Sequence, residues 1–342
     1  MRDHEVSPVD TAEVIAALNI TCKCGYIGCS GGGQGHSSFE AGLGASWLLE
    51  NDCDSQVILA QEYERGENVR QSNTRALRWY FHAANRGSAK ARMELGRKYE
   101  FGDGVDMDYQ EAMRWYKAAT DLDSSEAFYA LAELNESGKG VKANDFEAVR
   151  WYLKAADAGY AAAQIKLGHL TCSGRGGLTK NTAEGFRWFE KAAFEQQHPL
   201  AQHIAGTMLL DGEGTTQDIQ KAARLFCAAT VAGLPAAMCA LGNLYAAGRG
   251  VEQSYAEAER FYRQAAKQGD SQAQYHLAVM LSLGHGGKVD FVEAAKLFEL
   301  AAAQGLKLAQ FEVSLIAIYA FDRFTTEHQL SNLFPLNQSI LE

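Results

Sequence analysis

Proline is scarce in this chain, 4 residues in 342, and so are the features that would place it in a membrane, on nucleic acid or in a disulfide-stapled fold. No stretch approaches the roughly 18 consecutive apolar residues that read as a membrane-spanning helix, so no membrane span is expected. The opening Met1-Arg2-Asp3-His4-Glu5 carries acids where a secretory leader would be basic, and Val14-Ile15-Ala16-Ala17-Leu18 is too short and polar-flanked for a leader core. The chain as written therefore reads as cytoplasmic. Basic residues are outnumbered, 32 Lys and Arg against 42 Asp and Glu, and no basic cluster stands out. A net charge of -10 argues against nucleic acid, which needs a clustered cationic face, and favours neutral or basic partners. The 7 cysteines do not pair regularly: Cys22, Cys24, Cys29 and Cys53 precede the scattered Cys172, Cys227 and Cys239. That usage suits a reducing compartment.

What the chain has in quantity is a period. Glycines at Gly66, Gly102, Gly138, Gly174, Gly212, Gly248 and Gly284 fall 36 residues apart, except for one step of 38 between Gly174 and Gly212. The extra length falls near Gly176-Gly177-Leu178 and the Gln196-Gln197-His198-Pro199 connection. In step with them run Trp79, Trp115, Trp151, Trp188, Leu225, Phe261 and Leu297, which read as core anchors of a second helix. A fixed period of 20 to 50 residues is the mark of a repeat array. Each unit reads as two helices. Ala91, Leu95 and Tyr99 form one stripe of a 3.6-residue period, and Gly102 stands where a helix ends in a left-handed residue. Small alanines opposite large rings let neighbouring helices approach, and stacking buries the face that one unit cannot bury alone.

The frames Leu95-Gly96-x-x-Tyr99-x-x-Gly102-x-Gly104-Val105 and Leu241-Gly242-x-x-Tyr245-x-x-Gly248-x-Gly250-Val251, with the recurring Ala-x-x-Trp-Tyr-x-x-Ala-Ala, carry a resemblance. The pattern resembles the Sel1-like repeats, relatives of the tetratricopeptide repeats. Departures occur where Gly96 becomes Ala132 and Ala278, and where Val105 becomes Gly177, Thr215 and Gly287, so those repeats are expected to be looser. The resemblance implies an all-α, right-handed α/α solenoid. Three parts follow: a Gly- and Cys-rich arm or cap over 1–54, a solenoid of about seven helix pairs and an extra helix over 55–321, and a capping tail over 322–342.

Few motifs offer chemistry. Gly28-Cys29-Ser30-Gly31-Gly32 matches a nucleophile-elbow pattern but has no sheet context around it. Gly31 to Gly35 lacks the Gly-Lys-Ser/Thr ending of a phosphate loop. Cys22, Cys24, Cys29 and His36 offer four soft ligands, with one pair spaced too tightly for a usual zinc site. His169, His203 and His276 occupy different frame positions and do not converge as ligands. No catalytic residue, metal or cofactor is expected.

Two rows of the first helices vary between repeats while the anchors persist. One holds Arg97, Glu133, His169, Thr207, Asn243 and Val279; the other holds Glu94, Lys166 and His276. A surface that reads one protein diversifies in this way. The expected function is a non-catalytic, monomeric adaptor or scaffold that takes a protein partner on the concave face of the solenoid. The resemblance implies the same, since Sel1-like proteins act as adaptors, scaffolds and, in bacteria, host-interaction factors. Some are immunity proteins beside toxins, which makes neutralisation of a toxic enzyme the alternative. A metal-binding or enzymatic role of the Cys22–His36 arm is the second alternative.

Overall fold

The computed structural model describes residues 52–66 and 69–325. Fifteen helices and no strand occur among them. Seven pairs run in order: α1 (Cys53–Arg65) with α2 (Asn73–Asn85), α3 (Ala89–Phe101) with α4 (Tyr109–Thr120), α5 (Ser125–Ser137) with α6 (Asp145–Asp157), α7 (Ala161–Ser173) with α8 (Thr182–Phe194), α9 (Pro199–Asp211) with α10 (Ile219–Val231), α11 (Pro235–Ala247) with α12 (Tyr255–Lys267), and α13 (Ser271–Leu283) with α14 (Phe291–Ala303). A fifteenth, α15 (Lys307–Thr325), runs past the expected boundary at 321. Successive helices pack on one another, the arrangement of an α/α solenoid. The chain divides into two compact units, residues 1–163 and 164–342, with the division inside α7. The arm with its Cys22, Cys24, Cys29 and His36 lies outside the described residues, as does the tail beyond Thr325.

Local chemistry fixes each helix end. Asp108 accepts from Gln110 N at 2.8 Å and Glu111 N at 3.1 Å, opening α4. Asn144 and Asp218 cap α6 and α10 in the same manner. These side chains satisfy amide donors that a helix leaves orphaned at its start. At the other end of α3, Gly102 takes φ 72 and returns its N–H to Lys98 O. Only glycine adopts that conformation without a Cβ penalty. The 38-residue step comprises one additional residue in each connection around α8: eight residues (174–181) precede it where 212–218 uses seven, and four (195–198) follow it where 232–234 uses three.

The core corrects the expected anchor. Trp79, Trp115, Trp151 and Trp188 are only half-buried; the first three pack against core clusters from the edge. The buried ring is the residue that follows each: Tyr80, Tyr116, Tyr152, Phe189, Phe226, Tyr262 and Phe298, all nearly inaccessible. One residue is 100° of helix rotation, enough to move a side chain from the seam to its margin. Four of these rings, Tyr116, Phe189, Phe226 and Tyr262, lie against a glycine of the preceding first helix. A Cβ on Gly242 would stand 2.7 Å from Tyr262 Cε1, and one on Gly206 2.7 Å from Phe226 Cε1. Where this column holds alanine, at Ala132 and Ala278, the side chain is fully buried.

The two units satisfy this ring differently. In unit 1, Tyr80, Tyr116 and Tyr152 donate to Glu64, Glu100 and Glu136 at 2.9, 2.8 and 2.7 Å, each glutamate sixteen residues upstream. In unit 2 the rings are mainly phenylalanine; its Tyr262 faces Ala246 in that frame and donates instead to Asn243 at 2.6 Å.

Candidate protein-interaction face

The first helices of unit 1 gather a connected polar surface. Glu94 and Arg97 stand on α3; Glu126, Tyr129 and Glu133 stand on α5; Tyr160 closes the connection after α6. The Tyr129 and Tyr160 rings approach to 5.1 Å between centroids, and Tyr129 also meets Tyr152 at 5.5 Å. Burial raises the Tyr129 hydroxyl above its ordinary pKa, and the Glu133 carboxylate adds to the rise. Burial pushes the Glu94 carboxyl above the usual carboxylate range; Arg97 opposes the rise, whereas Glu64 and Glu126 add to it. Tyr160 is likewise held up by burial, with Glu126 and Glu133 adding to the effect and Arg97 opposing it. The second cation beside Glu94, Lys98, is buried in an ion pair with Glu64 and another with Asp103 at 3.1 Å. Arg97 is therefore the exposed cation on a surface of carboxylates and tyrosine rings.

Three predicted positions, Glu94, Arg97 and Glu133, thus lie together in unit 1. Tyr129, Tyr160 and Glu126 belong to the same surface and were missed. Tyr129 lies in a column that elsewhere holds Met93, Ile165, His203 and Cys239, which varies as freely as the two rows chosen.

In unit 2 the predicted positions are tied more closely to the fold. His169 is exposed and packs edge-on to Phe189 at 4.9 Å. Thr207 donates back to His203 O at 3.0 Å. Asn243 is exposed but accepts the Tyr262 hydroxyl. His276 is half-buried, stacked on Tyr262 at 5.4 Å, and burial lowers its pKa. Lys166 is half-buried on α7. Val279 departs from its row: it is 8% exposed, on α13 of the last pair, where α13 packs on α14 and also meets α11. Other members of that row face solvent; Val279 does not offer a contact surface.

His203 packs on Phe226 at 5.6 Å rather than beside another ligand. Among the described residues no group of three or more His, Cys, Asp or Glu side chains is placed to hold a metal ion. Cys53, Cys172, Cys227 and Cys239 are free thiols, with Cys239 buried and its pKa pushed up to about 12 by desolvation. No helix among the described residues is long and apolar enough to cross a membrane.

The Sel1 repeat family model matches residues 53–88, 89–124, 125–160, 161–193, 199–230, 235–270 and 271–306, and the chain belongs to that family. Its fold is shared with c5321, a protective antigen present in uropathogenic Escherichia coli strains. That structure is 27% identical with a TM-score of 0.72, over 84% of this chain and 62% of the longer c5321 chain. A Sel1 repeat protein from Oxalobacter formigenes is 27% identical with a TM-score of 0.63, covering 83% of each chain. The immunity protein Pa5087 from Pseudomonas aeruginosa is 20% identical with a TM-score of 0.42, over 65% of this chain and 83% of that one. A likeness of that size transfers no function. Comparison with curated proteins gives no match.

Proposed function

We propose that the protein is a non-catalytic interaction scaffold whose unit 1 takes a cationic segment of a partner protein on its first-helix face. The observation that carries this reading is the surface of Glu94, Glu126, Tyr129, Glu133 and Tyr160 around the exposed Arg97. Carboxylates on the rim attract Lys and Arg side chains, and tyrosine faces hold such cations through their ring quadrupole. Repeat arrays use extended surfaces of this kind for protein binding. Free thiols support a reducing compartment as the working site. The protein works as a monomer in this reading, with no cofactor.

Affinity capture with the full chain, beside a Glu126→Lys/Glu133→Lys variant of unchanged helicity, tests it. The expected result is a partner rich in Lys or Arg that the variant loses and that elutes with rising salt. A partner retained equally by the variant would place the contact elsewhere and end this reading.

A further inference from the structure

A cavity of about 530 Å³ opens in unit 2 between α8, the start of α9 and α10, and none of the predicted partner-binding residues lines it. It lies at the irregular repeat, where the connection after α8 carries its additional residue. That turn places Gln197 in the left-handed region at φ 49 and on the cavity wall. Leu225 and Ala193 line it together with Phe194, which is 50% exposed. Three primary amides, Gln197, Gln202 and Gln220, stand around this apolar lining; Gln202 is buried and its Nε2 donates to Ala193 O at 3.4 Å.

The charges are mostly committed. Asp218 Oδ1 accepts from Lys221 N at 2.9 Å, capping α10. Lys221 Nζ bonds Glu190 Oε1 at 2.8 Å and lies 5.2 Å from the Phe194 ring centroid. Arg224 lines the cavity and is exposed, and no ion pair is recorded for it among the described residues. A ligand would therefore meet an apolar floor, amides that both donate and accept, and one uncompensated guanidinium.

We propose that this cavity binds a peptide segment by an apolar side chain and an adjacent carboxylate. The apolar group covers Leu225 and Phe194, the Gln197 and Gln220 amides hydrogen-bond the peptide backbone, and Arg224 holds the carboxylate in its planar fork. Two sources supply this chemistry, a chain end that finishes in an apolar residue and an internal Glu or Asp beside one. The site is independent of the unit 1 face.

Fluorescence polarisation with the full chain tests it, using three labelled peptide sets. One ends in Leu or Phe with a free carboxylate, the second is the same set amidated, and the third is amidated with an internal Leu-Glu. Saturable binding of the first set alone assigns a chain end; binding of the third set as well as, or instead of, the first assigns a side-chain carboxylate. In either case Arg224→Gln is expected to weaken binding at least tenfold, and Ala228→Phe, at an exposed lining position, to abolish it, with circular dichroism unchanged. The proposal is overturned by no saturable binding of any set, by equal binding of the amidated set lacking Glu, or by binding that both variants leave intact.

Discussion

Tyr116 is buried against Gly96 while its hydroxyl reaches out of the seam to Glu100 Oε2 at 2.8 Å. Ring and hydroxyl thus fasten Tyr116 to α3 at two points: the ring fills the space left by the missing Cβ of Gly96, and the oxygen ties to the Glu100 carboxylate one turn further on. Glu64–Tyr80 and Glu136–Tyr152 repeat the bond in the flanking pairs of unit 1.

Tyr116→Phe removes this bond and keeps the ring. A hydrogen bond to a charged group on a partly buried tyrosine is worth about 1.5–3 kcal/mol, so the loss is expected near the lower end. The converse change, Phe226→Tyr, places a hydroxyl in a frame where the residue sixteen upstream is Leu210, and it is expected to destabilise by about 1–3 kcal/mol. Urea midpoints of the two variants measure both effects; a neutral Tyr116→Phe would show that the bond contributes nothing.

Gly242→Ala sets a gain in helix propensity of about 1 kcal/mol against overpacking that costs about 1–3 kcal/mol. With Tyr262 Cε1 at 2.7 Å from the added Cβ, packing is expected to prevail, for a net loss of about 1 kcal/mol. A thermal melt that rises instead would mean that the ring yields freely.

Acid is expected to weaken unit 2 first, whereas alkali acts on buried tyrosines in both units, Tyr262 and Tyr275 of unit 2 included. Burial holds His203 and His276 below the ordinary 6.5, opposed in both by the charge of Asp270. The fold favours their neutral form, so their contribution is complete above about pH 6.5 and is lost as the pH falls through the lowered values. Tyr80, Tyr116 and Tyr152 are raised above 10.0, mainly by burial, so their contribution is complete below pH 10 and is lost as the pH climbs further. Hydrogen exchange from pH 5 to 8 is expected to show protection falling first in 164–325. His203→Gln/His276→Gln should flatten that fall, and an unchanged slope would remove these histidines as the cause.

Asp123 stands at φ 55 in an inter-repeat turn where Gly87 and Gly159 stand in the neighbouring repeats. Left-handed backbone strains a residue that carries a Cβ, though least for Asp and Asn. Asp123→Gly is expected to stabilise by about 0.5 kcal/mol, after its own cost in chain entropy. Calorimetry would decide it, and a lower melting temperature would show the aspartate to be held by something other than backbone geometry.

The 36-residue period, the glycine turns and the stripe of Ala91 and Leu95 were legible because repetition amplifies weak local signals. The buried ring was legible too, by a different cue. The Tyr80 column stays aromatic through Phe298, whereas the Trp79 column admits Leu225 and Leu297. Size drew attention to tryptophan, but constancy across repeats marks the seam. Val279 was not legible from the variation of its row, because a column that varies does not separate a solvated position from a buried one. The Tyr129–Tyr160 contact joins residues 31 apart on different elements, which frame comparison within one helix does not reveal.

Repeats 53–88, 89–124 and 125–160 begin and end at equivalent turns and have equal length. Copying one of them in frame would present each neighbour with the seam it already fits. A gene built this way can grow by unequal recombination without inventing a new packing solution. The irregular repeat around α8 lacks that freedom, since its two additional residues match no neighbour. It is expected to persist as a single copy while the regular ones multiply around it.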